Sequence, residues 1–465
     1  MKSVVSIFLF LLSLLILYSC IDSPHGRGQE LAKQYCANCH QLPQPGDLPK
    51  EIWASTVLPK MGAYYGIYGI QSRSAILGTG RSADYINHLY PIVRRIDSTD
   101  WADIVNYYVS LAPDQLAGSE AGQPLDSLTQ FRPKEINGNS TNSVAPYTTM
   151  IHFDSAGQKI YTGGPGRARG ELQIFGTDHV YQKSLPALSP PTDISPERNI
   201  LLEIGSLLPS DHPRGSVSIL DGRLENSIQL DTLARPVDFE FIDLDQNGKQ
   251  EMVIAEYGNL VGGLKSYDQD AFGKWKLNKT LIDQPGAIRL HKTDLDQDGF
   301  EDLLVLFGQG NESIYVVYSR PEFPELEQLL QFPPSYGSSD LEVIDFDGDG
   351  HLDLFTTNGD NFDYQPIPKP YHGIRYHRNQ GDNTFKEEWF YPFDGAYNVE
   401  IADFDLDGDY DLATIAYFVP PYRRSIKSFL FLEQTDQSTA KNLSFRASTF
   451  IKPEGHHYLC MTSGD

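Results

Sequence analysis

The chain has 465 residues, of which 40% are hydrophobic, and this length exceeds one ordinary compact domain unless the fold is a repeat or barrel architecture. Its 62 Asp and Glu residues outnumber its 37 Lys and Arg residues, so the formal net charge is −25 and the pI is near 4.8. This balance argues against a protein that neutralises the phosphates of nucleic acid or coats an anionic membrane surface, and it favours cation binding.

Residues 1–20, MKSVVSIFLFLLSLLILYSC, have the features of an export signal: one Lys2, a long apolar run, and small or polar residues up to Cys20. The end of this stretch, L-Y-S-C, resembles the lipobox of bacterial lipoproteins. The resemblance implies an exported protein of the periplasm or cell envelope, anchored to a membrane by lipid on Cys20. The alternatives are a plain cleaved signal and an uncleaved membrane anchor.

Cys36, Cys39 and His40 form C-x-x-C-H, the spacing of covalent c-type haem attachment. An export signal precedes the motif, and haem is joined to such thiols only outside the cytoplasm. Residues Gly28–Cys36 predict a short helix, and apolar residues at helical spacing in Trp101–Leu111 predict a second helix with one buried face. We therefore expect one covalent haem c with His40 as an iron ligand.

This segment resembles the single-haem class I cytochrome c family, and the resemblance implies a small all-α domain over residues 24–115. Met61, in the sequence V-L-P-K-M-G, is the predicted second axial ligand and is expected in a loop, as in the family. A Met ligand suits electron transfer, and apart from the initiator this is the only Met before residue 150. His88 or an open iron site is the alternative.

Residues 116–145 are rich in Pro, Gly, Ser and Asn and lack a hydrophobic period, so they are predicted to be a linker. The chain is therefore expected to have several domains, with a second, larger domain over residues 146–465.

Four acidic stretches of the form D-x-D-x-[DN]-G-x-x-[DE] begin at residues 243, 294, 345 and 403, and their spacings of 51, 51 and 58 residues predict a repeat array. The pattern is close to the start of an EF-hand loop. The bidentate Glu that an EF-hand needs at its twelfth position is absent, which excludes that motif. The twelfth positions hold Ile254, Val305, Thr356 and Thr414.

Each acidic stretch carries its last carboxylate at the ninth position instead. Alternating acids around a glycine turn suit Ca²⁺, which takes six to eight oxygen ligands at about 2.3–2.6 Å, whereas Mg²⁺ resists losing its waters. Repetition at one period argues against simple solvated turns, so about four calcium ions are expected. The predicted ligands are Asp243, Asp245, Asn247, Glu251, Asp294, Asp296, Asp298, Asp302, Asp345, Asp347, Asp349, Asp353, Asp403, Asp405, Asp407 and Asp411.

The loops are flanked by strand signals. Each loop runs into an apolar stretch such as LLVLFGQG, and an alternating stretch such as ESIYVVY follows before the next loop. Several strands per repeat predict the blades of a β-propeller. The repeats resemble the FG-GAP or VCBS repeats of integrin-α-like propellers, which implies one calcium ion per loop.

The expected second domain is thus an all-β propeller of about seven blades, in which weaker units at Asp154 and Asp193 hold no calcium. The last residues, up to Asp465, resemble the beginning of a seventh blade that is truncated. A raw sheet edge is a liability, so either the sequence is a fragment or the N-terminal strand closes a sixth blade.

Taken together, these features predict an envelope-anchored c-type cytochrome that transfers single electrons, an electron carrier rather than an enzyme with its own substrate. The propeller would dock a redox partner protein of unknown identity or bind a ligand. One alternative is a propeller dehydrogenase that passes electrons to its own haem. Quinoproteins of that kind carry repeated Trp motifs, whereas this propeller region has only Trp275 and Trp389, which do not lie at equivalent positions of the repeat. The other is a ligand-binding or adhesion propeller, which rests on fold-level analogy.

Overall fold

The computed structural model describes residues 25–69, 71–78, 82–117, 125–134, 136, 147–166, 169–220, 228–362, 367–418, 428–435, 443–450 and 458–464. The predicted signal and Cys20 lie outside these residues. Two compact units are present, one within Met1–Ile76 and Leu89–Leu116 and the other within Leu77–His88 and Ala117–Asp465.

The N-terminal part of the chain is helical. Its α-helices are α1 (Gly26–Cys36), α2 (Lys50–Ile52), α3 (Leu58–Tyr64), α4 (Arg73–Leu77), α5 (Ser82–Ile86) and α6 (Ser98–Leu111). Short 3₁₀ helices span Pro45–Asp47 and Asn87–Leu89, and a π turn, Trp53–Val57, joins α2 to α3. Within the described ranges, no helix is long and apolar enough to cross a membrane.

Helices α1 and α6 confirm the two helices predicted from the sequence. Asp97 caps α6, because its side chain accepts a hydrogen bond of 2.7 Å from the Thr99 N–H. The buried face of α6 consists of Ile104, Tyr107 and Tyr108, whereas Leu111, expected on that face, is exposed. The face is shifted because helix α1 packs beside Tyr107.

The second unit is built from antiparallel strands and the loops that connect them. The described strands form six sheets. Blade 1 is β2 (Met150–Asp154), β3 (Lys159–Pro165), β4 (Gly170–Gly176) and β5 (Tyr181–Ala187); blade 2 is β6 (Pro191–Ser195), β7 (Ile200–Glu203), β8 (Gly215–Ile219) and β9 (Ile228–Leu233); blade 3 is β10 (Pro236–Ile242), β11 (Glu251–Glu256), β12 (Gly263–Gln269) and β13 (Trp275–Ile282).

The remaining blades repeat the same antiparallel order. Blade 4 is β14 (Ala287–Thr293), β15 (Asp302–Phe307), β16 (Ser313–Tyr318) and β17 (Glu325–Gln331); blade 5 is β18 (Ser338–Ile344), β19 (Asp353–Asn358), β20 (Gly373–Asn379) and β21 (Phe385–Pro392); blade 6 is β22 (Ala396–Ala402), β23 (Asp411–Ala416), β24 (Phe429–Gln434) and β25 (Phe445–Thr449). Strand β1 (Asp126–Ser127), in the predicted linker, pairs parallel with β25.

The cores of the propeller lie between neighbouring blades. The second strand of each of blades 3 to 6 is buried at every position, because both of its faces are covered by the adjacent sheets. For example, Val253 and Ala255 of β11 pack in one cluster with Leu303 and Val305 of β15. Full burial of such an aliphatic side chain contributes about 1.5–3 kcal/mol, so the ring of sheets is held mainly by these contacts.

The six sheets correct the expected count of about seven blades. Residues 458–464, predicted to begin another blade, form no strand. They lie against the first and last blades instead: the Cys460 thiol donates to the Thr148 carbonyl at 3.6 Å, and the Ser463 hydroxyl donates to Glu400 at 2.7 Å. A segment that resembles a strand in sequence thus occupies the seam between two complete sheets.

The crossing of α1 and α6 depends on Gly28, and we predict that Gly28→Ala destabilises the helical unit. A Cβ atom at Gly28 would lie 2.7 Å from the Tyr107 Cβ, which forces the helices apart. Overpacking of this kind costs about 1–3 kcal/mol. Denaturant unfolding followed by circular dichroism at the helix band measures the loss.

Gly46→Ala is the matched control, because a Cβ there meets nothing within 4 Å. We expect its effect to stay within about 1 kcal/mol. Equal effects of the two substitutions would show that the crossing does not depend on Gly28.

Candidate functional site

The four acidic loops occupy equivalent places in the propeller. Each connects the first strand to the second strand of its blade, in blades 3, 4, 5 and 6. Asp154 lies at the corresponding hairpin of blade 1, where its side chain accepts a hydrogen bond of 2.7 Å from the Gly157 N–H. Asp193 does not begin a loop: it lies inside β6, so its assignment as the first acid of a degenerate unit is wrong.

Backbone N–H groups organise each loop around its first acid. In blade 4, Asp294 accepts from the N–H groups of Asp298 and Gly299 at 3.0 and 2.9 Å. The glycine at the sixth position is left-handed, as the sequence requires, with φ of +91° at Gly299. The fourth position is left-handed too, and at Gln297, with φ of 60°, a non-glycine residue adopts this uncommon conformation.

The ninth acid of each loop is buried, and in blades 4 to 6 it joins the loop to the end of the third strand. Asp302 accepts from the Leu295 N–H within the loop at 3.1 Å and from the Ser319 N–H after the third strand at 2.9 Å. Asp353 and Asp411 repeat both contacts in blades 5 and 6. Burial raises the pKa of Asp302 to about 6 although these hydrogen bonds lower it, and the nearby Asp296 and Asp298 raise it further.

The first, third and ninth acids of each loop converge. One carboxylate oxygen from each of the three lies within 4.8 Å of the others in all four loops. The fifth acid of blade 4, Asp298, is outside this converging set and accepts from the Phe300 N–H at 2.9 Å. The converging residues are Asp243, Asp245 and Glu251; Asp294, Asp296 and Asp302; Asp345, Asp347 and Asp353; and Asp403, Asp405 and Asp411.

The donor set fits a hard cation such as Ca²⁺. It consists of carboxylate oxygens on a tight loop, and the charges repel each other unless a cation lies between them. In blade 5 the Oδ1 atom of Asp345 is buried and, within the described part of the chain, has no hydrogen-bond partner. A cation among these acids would satisfy that oxygen.

The haem-attachment motif begins at the last residue of α1. Cys36 is half-buried and Cys39 is exposed, and both are free thiols. The His40 Nδ1 atom lies 2.8 Å from the Gln41 carbonyl oxygen. When Nδ1–H donates to that carbonyl, Nε2 keeps its lone pair for a metal, which is the arrangement that metal-ligating histidines use.

Aromatic residues hold the chain that follows His40. The Tyr108 hydroxyl donates to the Pro43 carbonyl at 3.0 Å, and Trp53 Nε1–H donates to the Pro45 carbonyl at 2.9 Å. The rings of Trp53 and Tyr108 pack with their centroids 4.4 Å apart. These contacts hold residues 43–45, which follow the motif, against Tyr108 of α6 and Trp53.

The environment of Cys36 does not favour a reactive thiolate. Burial, and then the nearby Cys39, raises the pKa of Cys36 to about 11. Reactive cysteines have a lowered pKa instead. The raised pKa therefore argues against a reactive dithiol at Cys36.

The structure corrects the setting of Met61. This residue lies in α3, whereas the sequence suggested a loop of the kind that carries the axial Met in the cytochrome family. Met61 is half-buried, and its neighbour Gly62 packs against the Trp101 ring. The alternative ligand, His88, is exposed in the 3₁₀ helix Asn87–Leu89.

A polar ring on the first strands was missed by the sequence reasoning. Three aspartates each accept a hydrogen bond from a backbone N–H of the next blade: Asp193 from Phe239, Asp238 from Leu290 and Asp340 from Val399. Arg289 Nε–H donates to Asp340 at 2.6 Å. The ring residues at this position are Asp193, Asp238, Arg289, Asp340 and Asn398.

The sequence contains a signal for this ring, because a polar residue lies five positions before the first acid of each loop. A second polar residue lies three positions before that acid, and this second set contains Glu240, Glu342 and Glu400. Burial, together with Asp340 and Glu400, raises the pKa of Glu342 to about 9, and burial raises the pKa of Glu240 to about 7. The inner strands therefore carry carboxyl groups that resist ionisation.

Comparison with known protein families finds one match within the chain. Residues 294–356 match the FG-GAP-like repeat. The chain contains an FG-GAP-like repeat. The matched FG-GAP-like residues run from the acidic loop of blade 4, through β15 to β18, to the acidic loop and second strand of blade 5. The sequence-based assignment of FG-GAP repeats is thus confirmed at its centre.

No curated protein matches the chain. A solved protein from Lactobacillus plantarum aligns at 12% identity and a TM-score of 0.43, covering 66% of this chain and 86% of its own. A proposed 6-phosphogluconolactonase from Bacteroides fragilis aligns at 11% and 0.42, covering 65% and 84%. The WD40 domain of SCAP from fission yeast aligns at 10% and 0.37, covering 73% and 77%. These similarities are too distant to carry an argument about function.

We predict that Glu342→Gln stabilises the propeller at alkaline pH. The pKa of Glu342 is 4.5 in the reference state and about 9 in the fold, so the folded state binds the extra proton between these values. Stability therefore falls as pH rises from 4.5 towards 9, and the substitution removes this loss. Melting temperatures across this pH range, at constant calcium concentration, measure the effect.

The exposed Glu327→Gln is the control and should leave the pH profile of the melting temperature unchanged. If Glu342→Gln follows the same profile as the unaltered protein, Glu342 is ionised in the fold and the assignment fails.

Proposed function

We propose that this protein is an exported c-type cytochrome that transfers single electrons. We further propose that its propeller is stabilised by about four calcium ions and docks the redox partner. Lipid on Cys20 would anchor the protein to a membrane of the cell envelope.

The observation that carries this proposal is the C-x-x-C-H motif at the end of α1, a helix that crosses α6 at Gly28. Cys36 and Cys39 would form the thioether bonds, and His40 would present Nε2 to the iron because Nδ1 faces the Gln41 carbonyl. When bound, haem would supply a reversible one-electron change at its iron.

Residues around the motif support a fixed attachment site. The Tyr65 hydroxyl donates to the Tyr35 carbonyl at 2.5 Å, which ties the segment after α3 to the last turn of α1. Burial, followed by the nearby cysteines, raises the pKa of Tyr65 to about 12, so this hydroxyl stays protonated and keeps donating. Met61 on α3 remains our proposed second axial ligand.

The calcium proposal is supported by contacts that join loops of neighbouring blades. The Arg320 and Glu322 N–H groups of blade 4 donate to the Leu244 and Asp245 carbonyls of the blade 3 loop, both at 3.1 Å. Gln297 of the blade 4 loop donates to the Gly350 carbonyl of the blade 5 loop at 2.8 Å. A cation that holds one loop would therefore also stabilise the seam to the next blade.

We predict that the exported protein carries covalent haem with a low-spin spectrum after reduction with dithionite. Cys36→Ala combined with Cys39→Ala should abolish the haem mass adduct. Met61→Leu should convert the spectrum to a high-spin form that binds carbon monoxide, because it removes one axial ligand. Mass spectrometry and visible absorption spectra measure these outcomes.

Met461→Leu is the control for Met61→Leu, since Met461 is also half-buried but belongs to the propeller unit. If His88→Ala loses the low-spin spectrum and Met61→Leu keeps it, the second axial ligand is His88 and the assignment of Met61 is wrong. A mature protein without a haem adduct would refute the cytochrome proposal.

We also predict that chelation lowers the melting temperature of the propeller and leaves the haem absorption band unchanged. At a free calcium concentration of about 100 times the Kd, one ion bound only to the folded state adds about 2.7 kcal/mol to the free energy of unfolding. This stabilisation is lost when the ion is removed. Differential scanning calorimetry with EGTA, and with calcium added back, measures the shift. A melting temperature that changes neither with EGTA nor with added calcium would contradict calcium binding.

A further inference from the structure

The four acidic loops differ in the side chain that the third strand of the blade places beside them. Pairs such as Leu354–His377 set the register of the second and third strands, so the ninth acid faces the next residue of the third strand. At this facing position the four blades carry different residues. They are Asp268 in blade 3, Tyr318 in blade 4, Arg378 in blade 5 and Glu433 in blade 6.

Blades 4 and 5 supply an internal counter-ion to their loops. In blade 5 the Arg378 guanidinium contacts Asp347 at 2.5 Å and Asp349 at 2.6 Å. In blade 4 the guanidinium of Arg320, two residues beyond the facing position, contacts Asp296 at 2.5 Å and Asp298 at 2.9 Å. Both arginines thus join the third and fifth acids of a loop, although they start from different strand positions.

Two-point contacts of this kind are strong. A guanidinium that donates to two carboxylates forms charge-assisted hydrogen bonds and offsets their mutual repulsion. Because each arginine uses the Oδ2 atoms, while loop N–H groups donate to the Oδ1 atoms of the same acids, the loop shape is held from both sides.

Blade 6 has the opposite arrangement. Its facing residue is Glu433, which adds a carboxylate beside the loop, and the loop carries a further acid, Asp409, at its seventh position. Arg446 lies nearby but pairs with Glu433 at 2.5 Å, as does Gln130 at 2.8 Å. Blade 3 is intermediate, because Asp268 faces its loop and Lys249 lies within that loop.

Blade 6 is also where distant parts of the chain meet. Strand β1 pairs with its outer strand β25. On its inner side, the Ser463 hydroxyl donates to Glu400 of β22, and the Tyr458 N–H donates to the Ala416 carbonyl of β23 at 3.3 Å. The loop between β22 and β23 therefore joins the two strands that residues 458–464 contact.

We propose that blade 6 is the cation-sensitive blade of the propeller, and that its loop at residues 403–411 governs closure. Arg320 and Arg378 make the loops of blades 4 and 5 retain their shape when the cation is lost. This inference rests on the proposed calcium binding. It assigns the four sites unequal roles: among the described residues, arginine pairs with the acids of the loops in blades 4 and 5, whereas no ion pair joins an arginine to an acid of the blade 6 loop.

Hydrogen exchange of the full-length protein, measured by mass spectrometry with calcium chloride and with EGTA, tests the proposal. We expect EGTA to accelerate exchange about tenfold or more in residues 396–416 of blade 6, and less than about threefold in residues 338–358 of blade 5. Equal acceleration in both would overturn the inference while leaving calcium binding intact. No acceleration anywhere would overturn calcium binding itself.

A variant tests the role of the arginine directly. Arg378→Gln should give residues 338–358 the chelator response of blade 6, and Lys386→Gln is the matched control. Lys386 carries the same charge in the same blade but pairs with Glu388 on the outer strand. Arg320→Gln repeats the test in blade 4, in case Arg378→Gln does not fold. Residues 338–358 that stay insensitive to EGTA in Arg378→Gln would overturn the proposal.

Discussion

The architecture of the acidic blades depends on a buried carboxylate at the ninth loop position. A buried charge is tolerated only when its oxygens are satisfied, and in blades 4 to 6 two backbone N–H groups from separate elements satisfy it. Asp302, for example, joins the loop of blade 4 to the end of its third strand. This bridge holds the first and third acids where their oxygens converge. The same hydrogen bonds therefore stabilise both the blade and the candidate cation site.

The same strands that end in the loops also form the polar ring. Asp238 and Asp340 connect one blade to the backbone of the next, while Glu342 lies between the ring and the loop of its own strand. Carboxyl groups are thus concentrated along the first strands of the propeller. Among the described residues, the basic groups in this region include Arg289, which pairs with Asp340, and Arg320 and Arg378, which pair with acids of two loops. Their unequal distribution makes chemically similar loops electrostatically different.

The helical unit follows another constraint, the close approach of α1 and α6 at Gly28. This approach presents the end of α1, with Cys36, beside aromatic residues of α6 and α3. The hydroxyls of Tyr65 and Tyr108 fix backbone carbonyls on either side of the cysteine motif. A short motif is therefore held by helices that are far apart in the sequence.

Several features were determined by the sequence alone, because they depend on neighbours within about ten residues. The acidic loops, their left-handed glycines, the Asp97 cap and the inner strands of each blade are of this kind. Other features depend on contacts between distant segments, which no local pattern encodes. These are the count of six sheets, the course of residues 458–464, the helical setting of Met61, and the pairing of Arg320 and Arg378 with loops more than twenty residues away. The exposed outer strands, such as Glu325–Gln331, also carry no apolar period, so only pairing with the third strand reveals them.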